Sequence, residues 1–308
     1  MKMKRGLIFL SALVLAMMSV VSMPRADPSA GNRGSLQQRI AELEAMVASL
    51  QAELEANTVL KLDGYLALDT SDPSRPTARF AGINLQVVNG AGAESMEPNG
   101  LGNVIVGYDQ PYSPRDENDY VCASGYFQTQ EECEGQGFIW AMQHKSGSHN
   151  VIVGPEHRYS WLNGLAVGRN NTISNFGASV VGGQGGFAMG QYAIVVGGGG
   201  NRATGTSSAV LGGWNNWATN RAAHVSGGVH NRAEGQASTV SGGTANTALA
   251  DRSTVGGGHQ NTTNAEFSTI NGGYLNTASG RYSTVGGGQE RSVSGESDWV
   301  AGSLWEDQ

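Results

Sequence analysis

The stretch Asn276-Thr277-Ala278-Ser279-Gly280-Arg281-Tyr282-Ser283-Thr284-Val285-Gly286-Gly287-Gly288 carries the recurring positions of a unit that fills the C-terminal half of the chain. Its glycine pair, Gly287-Gly288, is preceded at fifteen-residue steps by Gly272-Gly273, Gly257-Gly258, Gly242-Gly243, Gly227-Gly228, Gly212-Gly213, Gly197-Gly198 and Gly182-Gly183, and is followed by the partial copy Gly302-Ser303. A constant period of this length means one small structural unit per repeat, stacked on its neighbours as a solenoid.

Aligned on the glycines, the repeats resolve into columns. Four residues before the first glycine stands a small residue: Ala178, Ala193, Ser208, Ala223, Ser238, Ser253, Ser268 and Ser283. Two residues later comes a β-branched one, from Val180 through Ile270 to Val300, and the position between them varies freely. This alternation is that of a strand with one buried face. After the glycine turn, asparagine recurs at Asn201, Asn216, Asn231, Asn246, Asn261 and Asn276, where stacked amides can bond to one another and to turn backbone. Two residues further on, a second small column runs from Ala188 to Ala278. The reading is all-β: a parallel β-solenoid, or β-roll, of about nine fifteen-residue coils, each with two short strands. Such a thin interior is marginal for a lone chain, which favours association.

Composition limits the alternatives. The chain has 308 residues, 46 glycines, eight prolines, 15% charged residues and a net charge of -7. That balance fits neither a collagen nor a charged disordered chain, and it argues against nucleic acid as a partner. Residues 1–26 read as an export signal, with Lys2, Lys4 and Arg5 before an apolar run; uncleaved, the same run would serve as a membrane anchor. Residues 27–34 form a linker. Over 35–57, Leu36, Ile40, Leu43, Val47, Leu50 and Leu54 make a heptad seam, with Ser35 placed to cap the helix. The narrow seam favours a parallel coiled coil over a helix lying on its own domain, and by itself leans towards two strands. Residues 58–107 read as a β-rich neck with strands over Val59–Leu68 and Arg79–Asn89, separated by a turn at Asp72–Pro76. Residues 108–147 form an insertion carrying Cys122 and Cys133, which in an exported chain read as a disulfide rather than a metal site. Its acidic run Asp116–Asp119 lacks the ordered spacing of a calcium loop. The roll domain proper is placed at 148–308, ending in a cap.

The quoted run, with its Ser-x-Val-x-Gly and Asn-x-Ala columns, resembles the head repeats of YadA-like trimeric autotransporter adhesins, over about Asn150 to Ser303. The resemblance implies a left-handed parallel β-roll that trimerises side by side, so a homotrimer is expected. The order of parts differs from the family. The coiled coil precedes the roll, and barrel strands do not follow it, so the expectation is an adhesin head on a short N-terminal stalk, without the family's C-terminal membrane anchor.

Neither a nucleophile triad, a phosphate loop nor a histidine-rich metal cluster is evident, so no enzyme activity, cofactor or metal is expected. Three outward features stand out. Arg202, Trp217 and Arg232 share a column in successive coils with Trp214 nearby, offering cation–π stacking or a sugar platform; the alternative is plain surface packing or a subunit contact. Asp251 and Glu266 sit one coil apart, as the carboxylates of a retaining glycosidase would, but Arg252 and Arg281 are placed to neutralise them. Thr239, Thr254, Thr269 and Thr284 form a single-rank ladder of the kind an ice-binding solenoid would need, although threonine is a good strand residue anyway. The leading expectation is an exported, non-enzymatic trimer at the cell surface or outside it, adhering to a surface, a glycan or a partner cell. The alternatives are a subunit of an extracellular filament or coat and, behind it, a polysaccharide-processing or ice-binding solenoid.

Overall fold

A computed structural model describes residues 32–57, 62–92, 97–110, 120–122, 127, 129–141, 144–302 and 304–306. The export signal at 1–26 and the acidic run Asp116–Asp119 lie outside the described residues. The chain divides into two units, Met1–Leu85 and Gln86–Gln308.

In the first unit a helix, α1, spans Asn32–Ala56. It starts before Ser35, so that serine has helical backbone and cannot serve as the cap, which must lie outside the helical dihedrals. The seam residues Leu36, Ile40, Leu43, Val47, Leu50 and Leu54 are 46–65% exposed, an apolar stripe that one chain leaves uncovered. No helix among the described residues is long and apolar enough to cross a membrane. Leu66–Asp69 pairs antiparallel with Thr77–Phe80 as a hairpin. In its turn the Asp72 carboxylate accepts from the Ser74 amide at 3.0 Å and from Arg75 Nε at 2.7 Å. The strand expected to run on to Asn89 stops at Phe80, because Gly82 adopts φ +73° and breaks the extension. The segment expected as the hairpin's first strand begins partly outside the described residues and contributes only Leu66–Leu68.

The second unit is a parallel β-solenoid of about ten turns. One sheet of thirteen strands begins at Val104–Val106 and Val151–Val153 and steps up the roll to Trp299–Ala301. A second sheet of ten strands runs from Arg158–Tyr159 to Ser292–Val293. Neighbouring strands are parallel and mostly fifteen residues apart, as in Val180↔Val195 and Ala188↔Ala203. Two early steps, Val151↔Leu165 and Leu165↔Ser179, are fourteen residues long. Because Val104–Val106 pairs with Val151–Val153, the solenoid reaches back past the boundary expected at 148, and the insertion is an enlargement of one coil.

The interior is filled by the columns. Ala178, Ala193, Val180, Val195, Val210, Ala203, Ala218, Ala233 and their repeats are essentially inaccessible to solvent. The asparagine column is a hydrogen-bonded ladder. Asn231 Nδ2 donates to Gly227 O at 2.9 Å and to Gly243 O at 2.9 Å, while its Oδ1 accepts the Asn246 amide at 3.0 Å. From Asn201 to Asn276 each side-chain amide thus donates to the carbonyl of the first glycine of its own turn and to a carbonyl in the next coil. At the head of this column stands His157, which reproduces the pattern with a ring. Its Nδ1 accepts the Asn171 amide at 3.2 Å and its Nε2 bonds Val153 O at 3.1 Å, four residues back as in the asparagines.

The two glycines of each pair have different reasons to be there. The second, from Gly183 to Gly288, holds φ between +80° and +110°. A Cβ on Gly213 would sit 2.0 Å from the Gly228 carbonyl oxygen of the next coil. A Cβ on the first, Gly212, would meet nothing within 4 Å. Positive φ alone does not demand glycine here, since Asn215 at φ +52° and Ala222 at φ +55° occupy left-handed positions in the same coil. Contact with the coil above is what excludes a side chain at Gly213.

The last coil changes character. Arg291 takes the asparagine position, and Asp298, buried, takes the small-residue position, accepting the Gly295 amide at 2.8 Å. Leu304–Glu306 then pairs antiparallel with Trp299–Ala301 and ends the larger sheet.

Candidate functional site

The outward positions of the ten-stranded sheet carry the main candidate. Phe187, Arg202, Trp217 and Arg232 are register partners in four successive coils. Strand spacing of about 4.8 Å suits flat groups stacked face to face. The Arg202 guanidinium lies 4.7 Å from the Phe187 ring centre and 5.5 Å from that of Trp217, and Arg232 lies 4.1 Å from Trp217. Both faces of Trp217 are therefore taken by guanidinium groups, which removes it as a flat platform for a sugar. Arg232 is paired with Glu234 at 3.0 Å. Arg202 has no ion pair among the described residues. Burial between the two rings pulls its basicity down, yet the side chain as a whole remains exposed.

Trp214 belongs to a different column. It bridges Gly199 and Val229 at the corner and has no ring contact with Trp217 among the described residues. Its six-membered ring covers Gly199, whose added Cβ would lie 2.0 Å from Cζ3, and the side chain is 56% exposed. The structure thus brings Arg202, Trp217 and Arg232 together and leaves Trp214 beside them. Phe187 completes the stack and escaped the sequence reading, although a fifteen-residue step back from Arg202 lands on it. Arg158, 5.8 Å from the Phe187 ring, extends the cationic series but is buried, donating to Thr172 Oγ1 at 2.8 Å and Asn170 Oδ1 at 3.1 Å.

A second stack lies at a corner of later coils. The rings of Phe267 and Tyr282 are stacked at 5.1 Å with 13° between planes, Arg252 lies 5.2 Å from Phe267, and Arg281 lies 4.8 Å from Tyr282. Phe267 and Tyr282 adopt φ +58° and +60°, left-handed positions that aromatic residues rarely take. Glu266 bonds Arg252 at 2.7 Å and approaches Arg281 at 3.4 Å. Asp251, the other member of the carboxylate pair, accepts the Gln236 amide at 2.7 Å. Both carboxylates have partners, so neither is poised as a proton donor or nucleophile in this geometry.

The threonine ladder Thr239, Thr254, Thr269 and Thr284 is in register along the larger sheet, and a second one, Thr247, Thr262 and Thr277, continues the Arg232 column. Each is a single rank. In the insertion, Cys122 and Cys133 are joined by a disulfide with Cα atoms 5.6 Å apart. It ties the strand pair Val121–Cys122 and Trp140–Ala141 to a short helix, α2, Gln130–Gly135, capped by Thr129. Where the insertion meets the roll, Asp109 Oδ2 accepts from Tyr159 Oη at 3.0 Å and pairs with Lys145 at 3.0 Å. Burial and the adjacent carboxylate push the Tyr159 phenol up, keeping it a neutral donor. Among the described residues no group of three His, Cys, Asp or Glu side chains is placed to hold a metal ion. The chain matches no family model and no curated protein.

Proposed function

We propose that this chain is an exported, non-enzymatic, homotrimeric β-roll protein that adheres to a surface, a glycan or a partner cell through its outward columns. The observation that carries this reading is the outward stack Phe187–Arg202–Trp217–Arg232, in which Arg202 has no ion pair among the described residues, on a roll whose interior is consumed by its own ladders. The similarity of the repeat to YadA-like adhesin heads points the same way. Trimer formation draws support from the uncovered seam of α1 and, separately, from the exposed column Val181, Val196 and Leu211, which directly follows strands of the larger sheet. Apolar residues repeating at coil spacing on an outer face suit side-by-side association.

The test is retention of the secreted chain on a panel of immobilised neutral and acidic glycans and on whole cells. Retention that falls in Trp217→Ala with an unchanged unfolding midpoint is expected; no retention on any surface would contradict the adhesive reading. A second reading, a filament subunit, draws on the smaller sheet, whose last described strand Ser292–Val293 has no described strand beyond it. The antiparallel strand on the larger sheet and the buried Asp298 favour a finite roll. Negative-stain images showing single short particles rather than fibres would agree with that.

A further inference from the structure

From the contrast between the two arginine stacks, we infer that Arg202 receives the anionic group, carboxylate or sulfate, of an acidic polysaccharide. This rests on the adhesive reading and names the ligand chemistry of its site.

Both faces of the Arg202 guanidinium are covered by Phe187 and Trp217, which leaves the N–H edge as the part turned to solvent. A planar, pre-oriented N–H edge is the geometry that takes a carboxylate or sulfate through paired hydrogen bonds. The neighbouring coils show what normally fills that place. Arg232 has Glu234 two residues along its strand, and the two are bonded at 3.0 Å. The position equivalent to Glu234 beside Arg202 is Thr204. In the second stack the guanidinium groups of Arg252 and Arg281 are likewise occupied, by Glu266. Of the solvent-accessible arginines stacked on aromatic rings in these two clusters, Arg202 alone has no carboxylate partner among the described residues, and its equivalent of Glu234 is a hydroxyl.

Thr204 suits a bound oxyanion. Its hydroxyl donates to the Thr219 carbonyl at 3.5 Å, a long bond that is readily exchanged for a shorter one to a charged oxygen. The surroundings favour a saccharide over an acidic peptide. Thr204, Thr206, Thr219 and Asn220 supply hydroxyl and amide groups to sugar hydroxyls, and the exposed Trp214 ring at the adjacent corner suits a pyranose face. The chain's net charge of -7 opposes a polyanion at long range. Screening over about 8 Å at physiological ionic strength confines that opposition and leaves the local contact to decide. Several copies of the site in one oligomer, each meeting a repeating anion, would add avidity to a weak single contact.

The experiment measures binding of the full secreted chain to polygalacturonate, dextran sulfate, neutral dextran and poly-aspartate. Binding to the first or second, absent with neutral dextran, is expected, and the two arms tell carboxylate from sulfate. Arg202→Gln should weaken it about tenfold or more. Thr204→Glu should do the same by supplying an internal partner in the Glu234 register, and both variants should keep the wild-type unfolding midpoint. Retention on acidic glycans that neither variant changes would overturn the site and leave general adhesion standing. Retention on neutral glycans alone would overturn the anionic ligand. Equal binding of poly-aspartate would overturn the saccharide class. No retention on any surface would take the adhesive reading down as well.

Discussion

In the ten-stranded sheet, adjacent residues of the same strands obey opposite rules. The inner column reads Ala188, Ala203, Ala218, Ala233, Ala248, one residue type, fully buried. The outer column one position away reads Phe187, Arg202, Trp217, Arg232, Thr247. Both columns have the same spacing and backbone, so geometry alone cannot account for the variety outside. Inside, a side chain is limited by the coil opposite and the coils above and below, and over these five coils the column holds one methyl group per coil, with larger buried residues at its ends and Thr263 between. Outside, only the neighbours in the column constrain it, and what they form depends on which groups happen to follow one another at fifteen residues. The scaffold is therefore sensitive to small changes, and the outer surface can be altered while the fold is kept.

The largest effect is expected where coils touch. Gly213→Ala places a methyl group against the Gly228 carbonyl in a left-handed conformation and should lower stability by at least about 2 kcal/mol. Its neighbour Gly212→Ala, with open space around the new atom, should leave the thermal midpoint nearly unchanged. Equal losses in the two variants, measured by thermal unfolding, would break the distinction between the paired glycines. Next comes the ladder. Asn231→Ala strands the Gly227 carbonyl and the Asn246 amide, while the Gly243 carbonyl keeps the Val229 amide at 2.9 Å, and a loss of about 1–3 kcal/mol in denaturant unfolding is expected.

Outer substitutions should move stability by less than about 1 kcal/mol and move binding instead. Glu266→Gln is the sharpest of these, because it makes the closed stack resemble the open one. In an Arg202→Gln background it should restore part of the retention on acidic polysaccharide by freeing Arg252 and Arg281. No recovery would mean that an unpaired arginine on an aromatic ring is not what makes the site.

The smallest effect concerns His157, an inner residue with a titratable ring. Burial holds its pKa below the usual 6.5, against the opposing pull of the bond to the Val153 carbonyl and of the Asp109 carboxylate. The unfolded chain therefore takes up the proton first, and stability should fall as pH drops below about 6.5 towards the folded value. The protonated ring would also turn Nδ1 from acceptor to donor against the Asn171 amide. His157→Asn, which offers the same donor and acceptor without a charge, should flatten stability between pH 5 and 7. An unchanged slope would assign the pH dependence elsewhere.

The inner columns were legible from sequence because each is restricted at every fifteenth residue. The same regularity hid the difference between the two glycines, since both recur and only contact with the next coil separates their roles. The early coils were read less well. Their steps of fourteen residues shift the columns out of alignment, and an insertion separates Val104 from its partner Val151. Of the outer stack, Arg202, Trp217 and Arg232 were found because they differ from their column, and Phe187 was passed over as one more varied outward residue. Phe267 and Tyr282 were not anticipated because aromatic residues in left-handed positions go against local preference; the turn imposes that conformation in every coil, as at Ala222 and Arg252, and stacking accompanies it here.

Assembly links the two sides of this comparison, because a thin interior gains burial and a weak outer site gains avidity when chains associate. The most direct measurement is the solution mass of the full chain by sedimentation equilibrium. A species of three chains, persisting at micromolar concentration and lost when Ile40 and Val47 are both changed to Asp, is the predicted result. A monomer at all concentrations, with the seam of α1 left open to water, would contradict it.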